Sequence, residues 1–212
     1  NGRQYQSGNS VAYPIVFYSV NEAADTKRPA TANDITNEKK YVVAANEVER
    51  GAWCFKADDE KMYSTNKNGL TINRNDVNNQ FAFITFNGET YLYSVGKQKF
   101  VHRNPGYNER ANSYPVVSDT PTTPVSILQS TSGSNIYRYV VAFNINGSEG
   151  QIGVSNSFTT GIITDYNDLG DGGNSVEIVE AGDFTVTDEI RNAILEKQFP
   201  LFKAELAELA TE

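Results

Sequence analysis

Cysteine, histidine, tryptophan and methionine each occur once in 212 residues. A single cysteine forbids an internal disulfide, and a single histidine forbids an imidazole-based zinc site unless carboxylates supply most of the ligands. Any serine- or cysteine-based nucleophilic site would have to use His102, the sole imidazole. Long apolar runs are also missing. The stretch 11–20 is interrupted by Pro14 and Ser19, and nothing approaches the roughly 18 apolar residues of a membrane span. Positive charge is in deficit, with 18 Lys and Arg against 26 Asp and Glu, a net charge of −8. Nucleic-acid binding depends on cations that neutralise phosphates, so no nucleic-acid partner is expected. A chain that begins at Asn1 is expected to have lost a native start and any export signal.

What is present points to strands. Helical periodicity is nearly absent before the last 26 residues, and short segments rich in Val, Ile, Tyr, Phe and Thr alternate with Asn, Gly, Asp and Ser. Asn68-Gly69, Asn87-Gly88 and Asn146-Gly147 are tight-turn signals, because both residue types tolerate positive φ. With 39% hydrophobic residues there is material for a core, and the body reads as all-β.

The strands fall into three similar units between about 51 and 183. First strands are Trp53-Cys54-Phe55, Tyr91-Leu92-Tyr93 and Val141-Ala142-Phe143, followed by Met62-Tyr63, Phe100-Val101 and Ile152-Gly153-Val154. Third pieces are 70–72, 114–117 and 161–164. Fourth strands place Phe81 with Phe83, Val125 with Ile127, and Val176 with Ile178 on one strand face. Three four-stranded units predict a closed arrangement in which six strands form a barrel and six cap it, hiding most sheet edges.

The flanks differ from the body. Residues 11–18 and 41–45 read as strands that either form an added hairpin or belong to the first unit and shift its start; 21–40 reads as a long loop. In the tail, Thr187 followed by Asp188 and Glu189 gives a cap and acids at a helix's positive end, with Ile190, Ala193 and Ile194 on one apolar face. Pro200 interrupts it, and Leu201, Phe202, Leu206 and Leu209 form a second stripe. Such a helix either packs on the β body or docks toward a neighbouring domain.

The run Phe81–Ile84 through Tyr91–Val101, with Asp171-Gly172-Gly173-Asn174 ahead of the last strand, resembles a divergent ricin-like β-trefoil of exported bacterial proteins. Asn79-Gln80-Phe81 sits where such families place a Gln-x-Trp element, without the tryptophan. The resemblance covers about 51–185 and gives three domains: an N-terminal extension over 1–50, the β-trefoil over 51–185 and a helical tail over 186–212. It implies a non-catalytic, lectin-like carbohydrate-binding module, secreted or at the cell surface, with a glycan or cell-surface polysaccharide as partner and no cofactor. The alternative is a protein-binding trefoil, either an inhibitor or a structural spacer of a larger surface protein; a carboxylate-based hydrolase is a third reading.

Sugars are held by an aromatic ring against the pyranose C–H face and by Asp, Asn or Gln on the hydroxyls. Two clusters have that composition. Asp165-Tyr166-Asn167-Asp168 lies in the third unit, and Tyr107-Asn108-Glu109 with Tyr114, beside His102 and Asn104, lies in the longest insertion of the second. The plainer readings are a turn and a solvated loop. Asp165, Asn167 and Gly170 also match three positions of a calcium loop, but Leu169 and Val176 stand where ligands are required, so no metal is expected. Asp58-Asp59-Glu60 reads as a hairpin turn, Cys54 as a small buried hydrophobe, and Trp53 as core.

Overall fold

Asn87 and Gly88 have φ of +48° and +81°. That conformation suits a two-residue hairpin, and the residues on either side, Phe86 and Glu89, face each other in register. The turn belongs to a computed structural model that describes residues 29, 31–45, 51–64, 75–104, 114–132, 136–145, 150–156 and 163–200. The other two Asn-Gly turns, residues 11–18 and the stripe after Pro200 lie outside them. Among the described residues the chain is mostly β with one C-terminal α-helix. In chain order the strands are β1 (Lys39–Ala45), β2 (Trp53–Phe55), β3 (Met62–Ser64), β4 (Gln80–Phe86), β5 (Glu89–Ser94), β6 (Lys99–Arg103), β7 (Pro115–Ser118), β8 (Val125–Gln129), β9 (Arg138–Asn144), β10 (Gln151–Asn156), β11 (Ile163–Tyr166) and β12 (Ser175–Asp183); the helix is α1 (Asp188–Gln198).

Six strands close into a barrel-like ring. β12 pairs with β1, β1 with β4, β4 with β5, β5 with β8, β8 with β9 and β9 with β12, all antiparallel. Long and short seams alternate around it. β1 runs along β12 for its whole length, and β4–β5 and β8–β9 are similarly extended. Between them, β1 meets β4 at Tyr41–Phe81 and Val42–Gln80, β5 meets β8 at Thr90–Val125, and β9 meets β12 from Val140–Ser175 to Arg138–Glu177. The other six strands form three hairpins, β2–β3, β6–β7 and β10–β11.

One strand assignment is corrected. Trp53–Phe55, expected as the first strand of the first unit, pairs instead with Met62–Ser64 in a separate two-stranded sheet. The ring position belongs to β1, whose membership the sequence left open. Both segments are short and buried, and only their distant pairing partners distinguish them. The loop expected over 21–40 also shortens at its end. Ala32–Asp34 form a 3-10 turn in which the Thr31 amide and hydroxyl both donate to the Asp34 carboxylate, and β1 begins at Lys39. In the same stretch Asn37 Nδ2 donates to the Thr85 carbonyl at 2.9 Å, while the Thr85 amide donates to Asn37 Oδ1 at 2.8 Å.

The interior of the ring takes Tyr41 and Val43 from β1, Phe81 and Phe83 from β4, Leu92, Val125, Val141, Phe143, Val176 and Ile178, and the hairpins add Trp53, Phe55, Met62, Val101, Val154 and Ile163. The Trp53 and Phe81 rings meet edge-on at 6.1 Å. Phe81–Ile84 is buried without alternation because both faces of β4 are covered. Ala82 and Ile84 point outward with Tyr91, Tyr93 and Phe100, and Ile190 and Ile194 of α1 close over them. Thr187 caps α1 by accepting from the Ile190 amide, and Gln198 Nε2 donates to the Phe86 carbonyl at its far end. The helix therefore packs on the β body.

Truncating the helix anchor is expected to be costly. Ile194→Ala should lower unfolding free energy in urea by about 2–5 kcal/mol, and Thr187→Ala by about 0.5–2 kcal/mol. Gly88→Ala, forced to keep a positive φ, should cost about 1 kcal/mol.

Candidate functional site

Strand alternation divides the third-unit cluster. On β11, Ile163 and Asp165 point inward while Thr164 and Tyr166 are half exposed. The Asp165 side chain is 3% exposed and accepts from Arg103 Nε at 2.6 Å, Arg103 being 14% exposed. This acid, expected at a sugar site, ties β11 to β6. Asn167 and Asp168 are exposed. The Asp168 carboxylate accepts from the Gly170 amide at 3.0 Å, and its carbonyl accepts from Asn174 Nδ2 at 2.5 Å and from the Asp171 amide at 3.1 Å. Asp171 in turn accepts from the Gly173 amide at 2.7 Å and caps the 3-10 turn Gly172–Asn174. The buried Asn174 amide lies against Gly153, where a Cβ would come within 2.8 Å of it. Asp165 and Tyr166 are the last residues of β11, and only Asn167 and Asp168 lead into the turn; Tyr166 is half-exposed and the two residues after it are exposed.

The same device precedes β4. Asp76 accepts from the Asn78 amide at 3.0 Å, a 3-10 turn spans Val77–Asn79, and Asn79 is buried. Gly96 is needed there, since a Cβ would come within 2.9 Å of the Val77 carbonyl. The shared Asp-x-x-Asn ahead of β4 and β12 was a legible internal repeat that pairwise matching of apolar residues passed over.

In the second unit, Tyr107, Asn108 and Glu109 lie outside the described residues. His102 is half-buried, and its Nδ1–H donates to the Arg103 carbonyl at 2.8 Å. Tyr114 is half-buried with Lys61 Nζ 5.0 Å from its ring centre. Lys61 belongs to the first hairpin and Asp165 to the third, so all three hairpins have a contact around the base of β6–β7.

Asp58–Glu60 do lie in the β2–β3 turn, beside a tyrosine. The Tyr63 hydroxyl donates to the Asp59 carboxylate, and Lys56 Nζ sits 3.9 Å above the Tyr63 ring. The hydrogen bond to Asp59 and burial push the Tyr63 phenol up to about 12. For Asp59, burial acts upward but is outweighed by the bonds from Tyr63 and the Lys61 amide, leaving the carboxyl below its ordinary value. Cys54 is buried, and burial raises its thiol to about 11 against the opposing charge of Lys56, which keeps it protonated at neutral pH.

A cavity of about 620 Å³ lies where β4 turns into β5, away from the hairpins. Its walls come from 32–37, the β4–β5 turn, β8 and Asn144. Sequence reading missed it because these residues converge only when the ring closes.

No protein-family model matches the chain, and no curated protein matches it. Among solved structures it is similar to a GlcNAcα1-4Gal-releasing endo-β-galactosidase from Clostridium perfringens, at 11% identity over 67% of this chain and 32% of that one, with a TM-score of 0.49. It is also similar to the Rhizoctonia solani agglutinin, at 12% identity over 68% and 96%, TM-score 0.48. A third is a Polyporus squamosus lectin bound to the human-type influenza-binding epitope Neu5Acα2-6Galβ1-4GlcNAc, at 9% identity over 68% and 49%, TM-score 0.44. The chain spans about a third of the galactosidase, about half of the Polyporus lectin and nearly all of the agglutinin.

Arg103→Ala would remove the guanidinium bond to the buried Asp165 carboxylate and should destabilise by about 1.5–3 kcal/mol in urea unfolding. Tyr63→Phe should raise the Asp59 pKa in a carboxyl NMR titration. Because Asp59 is depressed in the folded chain, the pair's contribution to stability is present at neutral pH and is lost as pH falls through the folded pKa.

Proposed function

We propose that the chain is a ricin-like β-trefoil acting as a non-catalytic, lectin-like carbohydrate-binding module of an exported or cell-surface bacterial protein. The alternation of long and short seams, with one hairpin per pair of long-seam strands, supports the trefoil. On this reading the trefoil body starts at Lys39 rather than near 51, and residues 1–28 remain as the extension.

Glycan recognition is carried by one observation. Tyr166 ends β11 half-exposed, and the exposed Asn167 and Asp168 lead from it into a turn whose backbone is locked by Asp168, Asp171 and Asn174. A half-exposed ring beside an amide and a carboxylate, held without loop entropy to lose, suits stacking on a pyranose with hydrogen bonds to its hydroxyls. Against a thiol-based site, Cys54 is buried and its thiol is held protonated. With a net charge of −8, the surface favours neutral glycans over sialylated or sulfated ones.

A glycan array followed by isothermal titration tests this. Neutral glycans should bind, and Tyr166→Ala should weaken them about tenfold or more without lowering Tm. Silence across a broad array would overturn the lectin reading and leave the protein-binding alternative.

A further inference from the structure

We infer that the glycan site extends from Asp168 across Gly170 and Gly172 to the Thr131 and Ser132 hydroxyls, a second subsite that selects neutral oligosaccharides over single sugars. This rests on the reading of Tyr166, Asn167 and Asp168 as a sugar site and adds the class of glycan that site takes. Thr131 and Ser132 follow β8, whereas Gly170 and Gly172 lie between β11 and β12, so two connections distant in the chain meet here. A Cβ on Gly170 would come within 3.3 Å of Asp168 Oδ1 and 3.7 Å of Thr131 Oγ1, and one on Gly172 within 3.2 Å of Ser132 Oγ. Neither glycine has a positive φ, so the backbone conformation does not require glycine at either place. The missing side chains leave a bare floor, open to close approach by a ligand and flanked by three side-chain oxygens.

Both sides of the floor are held in place. Asp168 Oδ1 accepts from the Gly170 amide at 3.0 Å, which leaves Oδ2 as an acceptor. Opposite it, the Ser132 amide donates to Oγ of the buried Ser130 at 3.2 Å, and the Ser130 amide donates to the Arg138 carbonyl at 2.9 Å. Thr131 is exposed and Ser132 half-exposed, and neither hydroxyl has a partner among the described residues. Each hydroxyl donates and accepts, while the carboxylate only accepts. Sugar hydroxyls, which do both, complement that set. A sialylated or sulfated unit would find no lysine or arginine among these residues and would face Asp168 and Asp171. The floor also has no aromatic ring, so it offers hydrogen bonds alone, each worth little at an exposed surface. It therefore adds to a sugar already stacked on Tyr166 and does not capture one by itself, which makes it a reader of chain length.

The test is isothermal titration and amide NMR of the full-length chain with three pairs of sugars: galactose and lactose, glucose and cellobiose, N-acetylglucosamine and chitobiose. At least one disaccharide should bind about tenfold more tightly than its monosaccharide. It should also shift the Thr131, Ser132, Gly170 and Gly172 amides, which the monosaccharide leaves in place. Thr131→Val combined with Ser132→Ala should bring that disaccharide down to the monosaccharide's affinity, with monosaccharide binding and Tm unchanged. Tyr166→Ala should weaken both sugars. Monosaccharide binding with no gain in any disaccharide, or a gain that survives in the double variant, overturns the subsite and leaves the Tyr166 reading standing. Binding of none of these sugars overturns both.

Discussion

Ring closure is the constraint on which the remainder of the structure depends. A six-stranded antiparallel sheet with open edges would expose unpaired amides and carbonyls; joining β5 to β8 removes them. Closure also sets composition. Every ring strand must send bulky side chains inward, which is why Phe81, Phe83, Phe143 and Ile178 meet in one cluster although they are far apart in the chain. β4 and β5 carry a second duty, since α1 covers their outer face, and this accounts for the unbroken apolar runs Phe81–Ile84 and Tyr91–Tyr93.

The candidate sites sit where the scaffold is stiff. The turn that follows Tyr166 is fixed by a capped 3-10 turn and a buried amide. Polar groups oriented in this way lose little freedom on meeting a ligand. The helix makes the outer faces of the ring unequal. Only the β4–β5–β6 face is sealed by Ile190 and Ile194, so surfaces related by the ring's alternation are not interchangeable as binding surfaces.

Much of the fold was legible in the sequence, for physical reasons that can be named. Asn87-Gly88 announced its hairpin through φ, and pairs such as Val176 and Ile178 announced an inward face through the strand period. Thr187 and the acids after it marked the start of α1. The first unit was misread because Trp53–Phe55 and Tyr41–Ala45 have the same local character, and only long-range pairing assigns one to a hairpin and the other to the ring. At the candidate site, composition singled out Tyr166, Asn167 and Asp168, which are half-exposed or exposed, whereas Asp165 belongs to an ion pair with a residue 62 positions away that no local pattern reveals. The cavity left no sequence trace at all, being made of turn and strand ends brought together by closure.

Asn37 carries a consequence of its own. Its side chain pairs with both the amide and the carbonyl of Thr85, so a carboxamide stands in for a peptide group and prolongs the β1–β4 seam past the end of the strand. Deamidation there would replace the donating nitrogen with a second acceptor facing the Thr85 carbonyl. Chemical ageing at one atom would therefore loosen the β1–β4 seam beside the cavity, without altering any residue of the core.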